Sequence, residues 1–306
     1  GLGDVYKRQE LEQARTAGVT IITTNSSEYP AALRRTPDPP VVLYLRGSFT
    51  DSDDRALAIV GTRTPTHYGL TLTHRMAYEL GAAGFTVVSG MARGIDTQAH
   101  KGALAAQGRT IAVLGCGIDV AYPPENRDLM ERIAASGAVI SENPLGTPPE
   151  SGYFPARNRI ISGLSRGTVI VEAAEDSGSL ITANYAVKQD RLLFAVPGNV
   201  GSPTSRGPNS LIKQGAVLVE TTGDILSRLG ASSAPAAPQE PKRETPQLSD
   251  EERRIYDALG AEPRHIDQLM TFCSASPGKL GGLLTTLELK GLAKQLPGKY
   301  FIRCRN

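Results

Sequence analysis

Cysteine is scarce in this chain, with three in 306 residues. Cys116, Cys273 and Cys304 are odd in number and far apart, which argues against a disulfide framework and against a Cys-x-x-Cys metal site. The four histidines, His67, His74, His100 and His265, follow no metal-ligand spacing, so no metal is expected. No apolar run approaches the roughly 18 residues of a membrane span, and no secretory signal is visible. A membrane partner is therefore not expected, and a reducing cytoplasm is the natural compartment. Charge of one sign is also missing in excess. Thirty-three basic and 31 acidic residues leave a formal charge of +2, so any polyanion site must be a local patch.

Catalytic signatures are absent too. The segment Gly61-Thr62-Arg63-Thr64-Pro65-Thr66 lacks the Gly-x-Gly-x-x-Gly fingerprint, and Gly115-Cys116-Gly117 lacks its third glycine. No P-loop and no His-Glu-x-x-His occur, and no nucleophile elbow is expected. Hydride transfer, nucleotide hydrolysis and metal-assisted hydrolysis are disfavoured, and neither a cofactor nor a catalytic residue is assigned.

What the chain does contain is a rhythm. With 40% hydrophobic residues it can bury one large core and a small satellite. Residues 1–17 read as a leader or the remnant of an N-terminal domain, and Gly1 to about Gln9 show no clear periodicity. Residues 21–47 are Pro-rich and extended, a lead-in ending in the strand Val41–Leu45. Between residues 18 and 229, short apolar runs alternate with amphipathic segments. The expected strands are Leu57–Gly61, Thr86–Gly90, Thr110–Gly115, Ala138–Ser141, Thr168–Ala173, Leu192–Val196 and Ala216–Val219. Continuous apolar strands separated by helices indicate an α/β fold, an extended Rossmann-like, doubly wound and mainly parallel sheet. Residues 230–247, rich in Pro, Ala and Ser, read as a flexible linker. Residues 248–306 show three helices and a hairpin turning at Pro297-Gly298, the pattern of a small winged-helix domain.

In such a sheet the loops at the carboxyl ends of the strands share one edge and build one site. Here they carry Gly61, Thr62 and Arg63; Ser89, Gly90 and Arg93; Gly115 to Gly117; and Ser177, Gly178, Ser179 and Thr182. Phe154-Pro155-Ala156-Arg157-Asn158-Arg159 adds an aromatic ring and two guanidinium groups ahead of an apolar helix. Glycine permits close backbone approach, amides at helix starts favour anions, and the planar arginine fork suits phosphate. A phosphate-rich ligand follows. Each residue also has a plainer role open to it: Arg63 as a surface side chain, Arg93 as a turn cap, and Asp96 as a helix N-cap. Arg157 or Arg159 can serve as an internal ion-pair partner, and Ser177 to Thr182 as a helix cap.

Taken in order, these motifs resemble the DNA-processing protein A family (DprA, also called Smf). Ile59-Val60-Gly61-Thr62-Arg63, Ser89 to Asp96, Phe154 to Ile161, Ser177 to Ala183, Val196 to Asn199 and Gly207 to Ile212 carry the likeness, over residues 18–229 and the winged-helix tail. The resemblance implies a homodimeric single-stranded-DNA-binding protein that protects incoming strands in natural transformation and loads the recombinase RecA. It implies that Arg63 contacts DNA, that Phe154 stacks on a base, and that Arg157, Asn158 and Arg159 position the strand. It implies no enzyme activity. The chain departs from the family at Ser151, where a lysine is frequent. Arg109, Arg127 or Arg157 is the expected substitute. The family's common N-terminal helical domain has at most a remnant here.

Two other readings stay open. Nucleoside-monophosphate phosphoribohydrolases share the Rossmann variant. Setting their loop threonine on Thr182 places Asn184 and Tyr185 where that loop has carboxylates, so Glu172 or Glu175 must substitute. A winged-helix regulator with a sensing front domain is the other, and its recognition helix offers mostly Leu, Gly and Thr.

Overall fold

The structure, a computed structural model, describes residues 2–230, 248–260, 262–273 and 276–304. Contacts divide the chain into two units, Gly1–Pro235 and Ala236–Asn306. The expected linker falls almost wholly outside the described residues.

The first unit is built on strands β1 (Thr20–Thr23), β2 (Val42–Gly47), β3 (Ala56–Val60), β4 (Thr86–Ser89), β5 (Thr110–Leu114), β6 (Ala138–Ser141), β7 (Gly167–Ile170), β8 (Leu192–Ala195) and β9 (Val217–Leu218). They form one sheet in the order β1-β2-β6-β5-β4-β3-β7-β8-β9. β1 and β2 pair antiparallel, β2 runs antiparallel to β6, and every other pair is parallel.

Its helices are α1 (Leu2–Thr16), α2 (Ala31–Arg34), α3 (His67–Ala82), α4 (Ile95–Ala105), α5 (Arg127–Ser136), α6 (Tyr153–Leu164), α7 (Gly178–Lys188), α8 (Arg206–Lys213) and α9 (Thr222–Arg228). The strands read as continuous apolar runs because both faces are covered. Within β3, Ala56, Ala58 and Val60 pack with Ile160, Ile161 and Leu164 of α6, Ala183 of α7 and Leu211 of α8. Leu57 and Ile59 point the other way, into Leu72, Met76 and Leu80 of α3, Ile95 and Ala99 of α4, and Ile225 of α9. The period of two thus assigns one strand to two cores.

Two elements depart from the sequence expectation. The lead-in contains β1, which pairs Thr20 through Thr23 against Leu45 through Val42. Residues 2–16, whose first part to about Gln9 shows no clear periodicity, form α1. Its Ala14 is buried beside Val19, Tyr44 and Ile133, and Glu10 accepts the Tyr44 hydroxyl.

Going out from β3, the chain visits β4, β5 and β6 on one side, then returns through α6 to β7, β8 and β9 on the other. The switch point lies between β3 and β7, where a doubly wound sheet opens its ligand crevice.

The second unit contains α10 (Asp250–Ala258), β10 (Arg264–His265), α11 (Ile266–Cys273), α12 (Pro277–Leu289), β11 (Ala293–Leu296) and β12 (Tyr300–Arg303). Ser249 caps α10 in a reciprocal box with Glu252, as Ser-x-x-Glu predicts. The hairpin forms as expected, and β10 adds a third strand against β12. Leu280, Leu284 and Leu287 of α12 close its core with Ile255 and Phe301.

Candidate nucleic-acid interface

Arg63 follows β3 at the switch point and is exposed. Its guanidinium carbon stands 5.6 Å from the centre of the Phe154 ring. No hydrogen bond or ion pair holds the guanidinium among the described residues. The ring belongs to the first turn of α6, which packs against β3, β4 and β5. Phe154 packs against Gly115: a Cβ built there would come within 2.7 Å of the ring. Tyr122 lies beside it, with centroids 5.6 Å apart and planes inclined by 33°. A free cation and two half-exposed rings therefore line up at one edge of the sheet.

Loop geometry holds this row in register. Gly94 adopts φ +77, and a Cβ there would lie 2.5 Å from the Thr62 carbonyl oxygen. Only glycine meets both demands. The loop bearing Arg93 is thus pressed onto the loop bearing Arg63, and the Ile95 amide donates to the Thr62 carbonyl at 3.3 Å.

Several residues expected at the ligand serve the protein's interior instead. Arg157 is 7% exposed. Its Nη1 donates to the Gly90 carbonyl at 2.7 Å and to the Val113 carbonyl, tying together the ends of β4 and β5, and its Nε donates to Asn158 at 3.2 Å. Burial pulls its pKa down to about 10, with Asp96 opposing, so it stays charged at neutral pH. Arg159 is bound by Glu142 at 2.7 and 2.8 Å and by Asp38 at 3.0 Å, clamping the lead-in to α6. Asn158 is buried and donates to the Gly178 carbonyl at 3.2 Å.

Ser89 is fully buried and donates to the Ile59 carbonyl. Gly90 has both backbone groups engaged: its amide donates to Asp96 at 3.1 Å and its carbonyl accepts from Arg157. A Cβ at Gly90 would sit 2.8 Å from that guanidinium. The glycine is accounted for by Arg157, rather than by the close ligand approach the sequence suggested. Gly61 is likewise required by packing, since a Cβ there would lie 2.7 Å from Ile95.

One helix start expected to attract an anion already holds one, and at a second a carboxylate ties down the preceding loop. Glu172, buried at the end of the β7 segment, accepts the Thr66 amide at 2.8 Å and the Thr66 hydroxyl at 2.5 Å at the head of α3. Asp96 accepts the amides of Gly90 and Ala92; it folds back on the loop, while Gly94 is the N-cap of α4. Desolvation raises the Asp96 pKa to about 6, although Arg157 pulls the other way. Asp96, expected as a helix N-cap, instead ties the loop, and Glu172, expected only as a substitute catalytic carboxylate, caps α3.

The third start, at α7, is open. Ser177 caps it through the Ser179 amide at 3.4 Å, and the two hydroxyls meet at 2.8 Å. Gly178 is exposed with no neighbour within 4 Å of a Cβ, whereas Ser179 and Thr182 are buried. Arg93 is exposed and paired with Glu125 at 2.5 Å. Among the substitutes expected for the missing lysine, Arg109 lies at the opposite edge, bound to Asp53 at 3.0 Å. Arg157 is buried, and Arg127, exposed at the head of α5, is on the right edge.

A Gly-x-Ser-x-Gly string does occur, at Gly163 to Gly167, against the expectation that no nucleophile elbow is present. It runs from helix to strand, and Ser165 is buried and donates to the Ile161 carbonyl, so it is not an elbow. No group of three or more metal-ligating side chains occurs among the described residues. No helix among them is long and apolar enough to cross a membrane.

In the second unit, the cations of the recognition helix α12 are paired. Lys279 meets Glu251 at 2.5 Å, and Lys290, just past its end, meets Glu252 at 2.6 Å.

A doubly wound, mostly parallel sheet whose strand order reverses between β3 and β7 belongs to the Rossmann-like class of α/β proteins. The chain is a member of the DNA recombination-mediator protein A family, whose model matches residues 20–230, and the DprA winged helix domain matches residues 239–299. Protein Smf of Synechocystis sp. is 37% identical over 329 residues, covering 96% of this chain and 83% of that protein. The DNA processing protein DprA of Bacillus subtilis is 43% identical over 220 residues, 72% of this chain and 74% of its own. Among solved structures, DNA processing protein A from Streptococcus pneumoniae superposes with a TM-score of 0.67 at 37% identity, covering 73% and 77% of the two chains. That of Helicobacter pylori, solved for its single-stranded DNA binding mode, gives 0.62 at 33% identity over 69% and 95%. A role in DNA processing as a recombination mediator follows from this membership.

Proposed function

We propose that this protein binds single-stranded DNA at the strand-end edge of its first unit, protects it, and loads RecA onto it as a homodimer during natural transformation. The observation that carries the binding step is the unpaired Arg63 guanidinium beside the half-exposed Phe154 ring. A phosphate needs a free fork, and an unstacked base needs an open π-face. Single strands offer both together, whereas a duplex hides its bases. Thr62 precedes the cation and the exposed Gly178 opens α7 at the same sheet edge, while Arg157 supports the ring from within and Asn158 and Arg159 are bound inside the protein rather than touching the strand. The Helicobacter pylori relative, with its single-stranded DNA binding mode, supports the same reading.

The phosphoribohydrolase reading loses ground on geometry. Asn184 is exposed on α7, and of the two carboxylates that would have to substitute, Glu172 is committed to Thr66 and Glu175 is exposed. A duplex-reading regulator is disfavoured by the neutralised cations of α12.

Competition decides among the three. Labelled oligo-dT bound to the protein should be displaced by unlabelled oligo-dT and resist equal masses of duplex and of AMP. Displacement by AMP with release of adenine would establish the enzyme instead. RecA loading is then read as faster filament growth on single-stranded DNA coated by a single-strand-binding protein.

A further inference from the structure

Phe154 has an aromatic neighbour. Tyr122 stands 5.6 Å from it, half-exposed, on the loop that follows β5. That loop is anchored. The buried Asn126 donates to the Met91 carbonyl at 3.0 Å and to the Thr97 hydroxyl at 2.8 Å, and the Val120 amide donates to the Gly117 carbonyl at 3.0 Å. Three residues after Tyr122 comes Glu125, whose carboxylate grips Arg93 twice, at 2.5 and 3.1 Å. Both partners are solvent-exposed, at 56% and 53% of their side-chain surface. Such a pair is weak in water, so a phosphate can replace the carboxylate on the same fork.

We propose that Tyr122 and Arg93 form a second nucleotide subsite, past Phe154, in which Tyr122 stacks a base and Arg93 takes a phosphate after Glu125 is displaced. The inference rests on the single-stranded-DNA reading of this edge and extends it to a specific path. The strand runs from Arg63 at the switch point over Phe154 to Tyr122, then reaches Arg93. Glu125 acts as an internal competitor that holds the fork in shape and lowers affinity for anything without a phosphate at that position. A free cation, two rings and a masked cation at one edge supply the two kinds of contact a single strand needs, phosphate and base.

The chain contains no tryptophan, so Tyr122→Trp places its one indole at the proposed platform. Emission from that indole should be quenched on titration with oligo-dT, saturating together with anisotropy. An abasic oligonucleotide of equal length should leave it bright. Tyr122→Phe should bind as wild type, and Tyr122→Ala about tenfold more weakly with its salt dependence unchanged. Glu125→Gln should tighten binding several-fold by freeing Arg93. Quenching that is absent at saturating oligo-dT, or Glu125→Gln affinity equal to wild type, overturns the second subsite. If wild type still binds and Arg63→Ala does not, the proposed function survives that result. Failure of wild type to bind oligo-dT overturns both.

Discussion

Arg63 and Arg157 stand 5.6 and 5.8 Å from the same phenyl ring and do different work. One faces solvent with its fork free; the other is buried and spends its donors on two strand-end carbonyls. Gly90→Ala therefore tests the interior, not the ligand. Its methyl would lie 2.8 Å from the Arg157 guanidinium. Urea unfolding should show a loss of about 2–4 kcal/mol from overpacking and broken hydrogen bonds. A change under 0.5 kcal/mol (about the scatter of neutral substitutions) would show that Arg157 is free to move aside.

Asp96 and His100 give the same region opposite pH dependences. Burial lowers the His100 pKa to about 3, and its Nδ1 is hydrogen-bonded to Thr110 at 2.7 Å. Stability contributed by keeping it neutral is present above its ordinary value and is lost as pH falls towards 3. Asp96 is raised from 3.8 to about 6. The folded state then holds the proton more tightly than the unfolded chain, so this group favours folding at low pH and opposes it as pH rises through that window. The difference between wild type and Asp96→Asn isolates the second effect. Between pH 7 and pH 4 the balance should shift toward wild type by on the order of 2–3 kcal/mol. A pH-independent difference would contradict the buried carboxylate.

At the scale of elements, Glu172 links β7 to α3 across the switch point by filling the head of the helix with a carboxylate. Glu172→Ala should cost about 1–3 kcal/mol, because it leaves the Thr66 amide and hydroxyl unpaired in a half-buried place. Differential scanning calorimetry of the variant measures it, and an unchanged midpoint would assign the capping to water. Strands β3 to β8 were legible in the sequence because burial on both faces makes each an unbroken apolar run. β1 was not. Thr20–Thr23 is half polar, sits at the sheet edge in a Pro-rich stretch, and depends on pairing with β2. The site was legible in part for a related reason. Motif spacing marks which loops meet at the strand ends, but it cannot say which arginine is already neutralised. Arg159 is bound by Asp38, 121 residues away, and Arg93 by Glu125, 32 residues away. Only folding brings those acids in. Tyr122 was visible in the sequence, yet nothing local marks a tyrosine as the neighbour of Phe154.

On the scale of the whole molecule, a formal charge of +2 leaves no general attraction to nucleic acid. Binding must come from few, well-placed contacts. The second unit adds little positive charge on its recognition helix, because Lys279 and Lys290 face Glu251 and Glu252. Affinity for single strands should therefore fall with salt with a shallow slope, set by the handful of forks at the strand-end edge. The direct test is fluorescence anisotropy of a labelled oligo-dT against the matching duplex, in a salt series, with wild type and Arg63→Ala. Single-strand preference in wild type should weaken in Arg63→Ala, and the slope of log affinity against log salt should drop by about one, the signature of a single lost phosphate contact. Equal affinity and equal slope for the two proteins would remove Arg63, and with it the switch-point edge, from the path of the DNA.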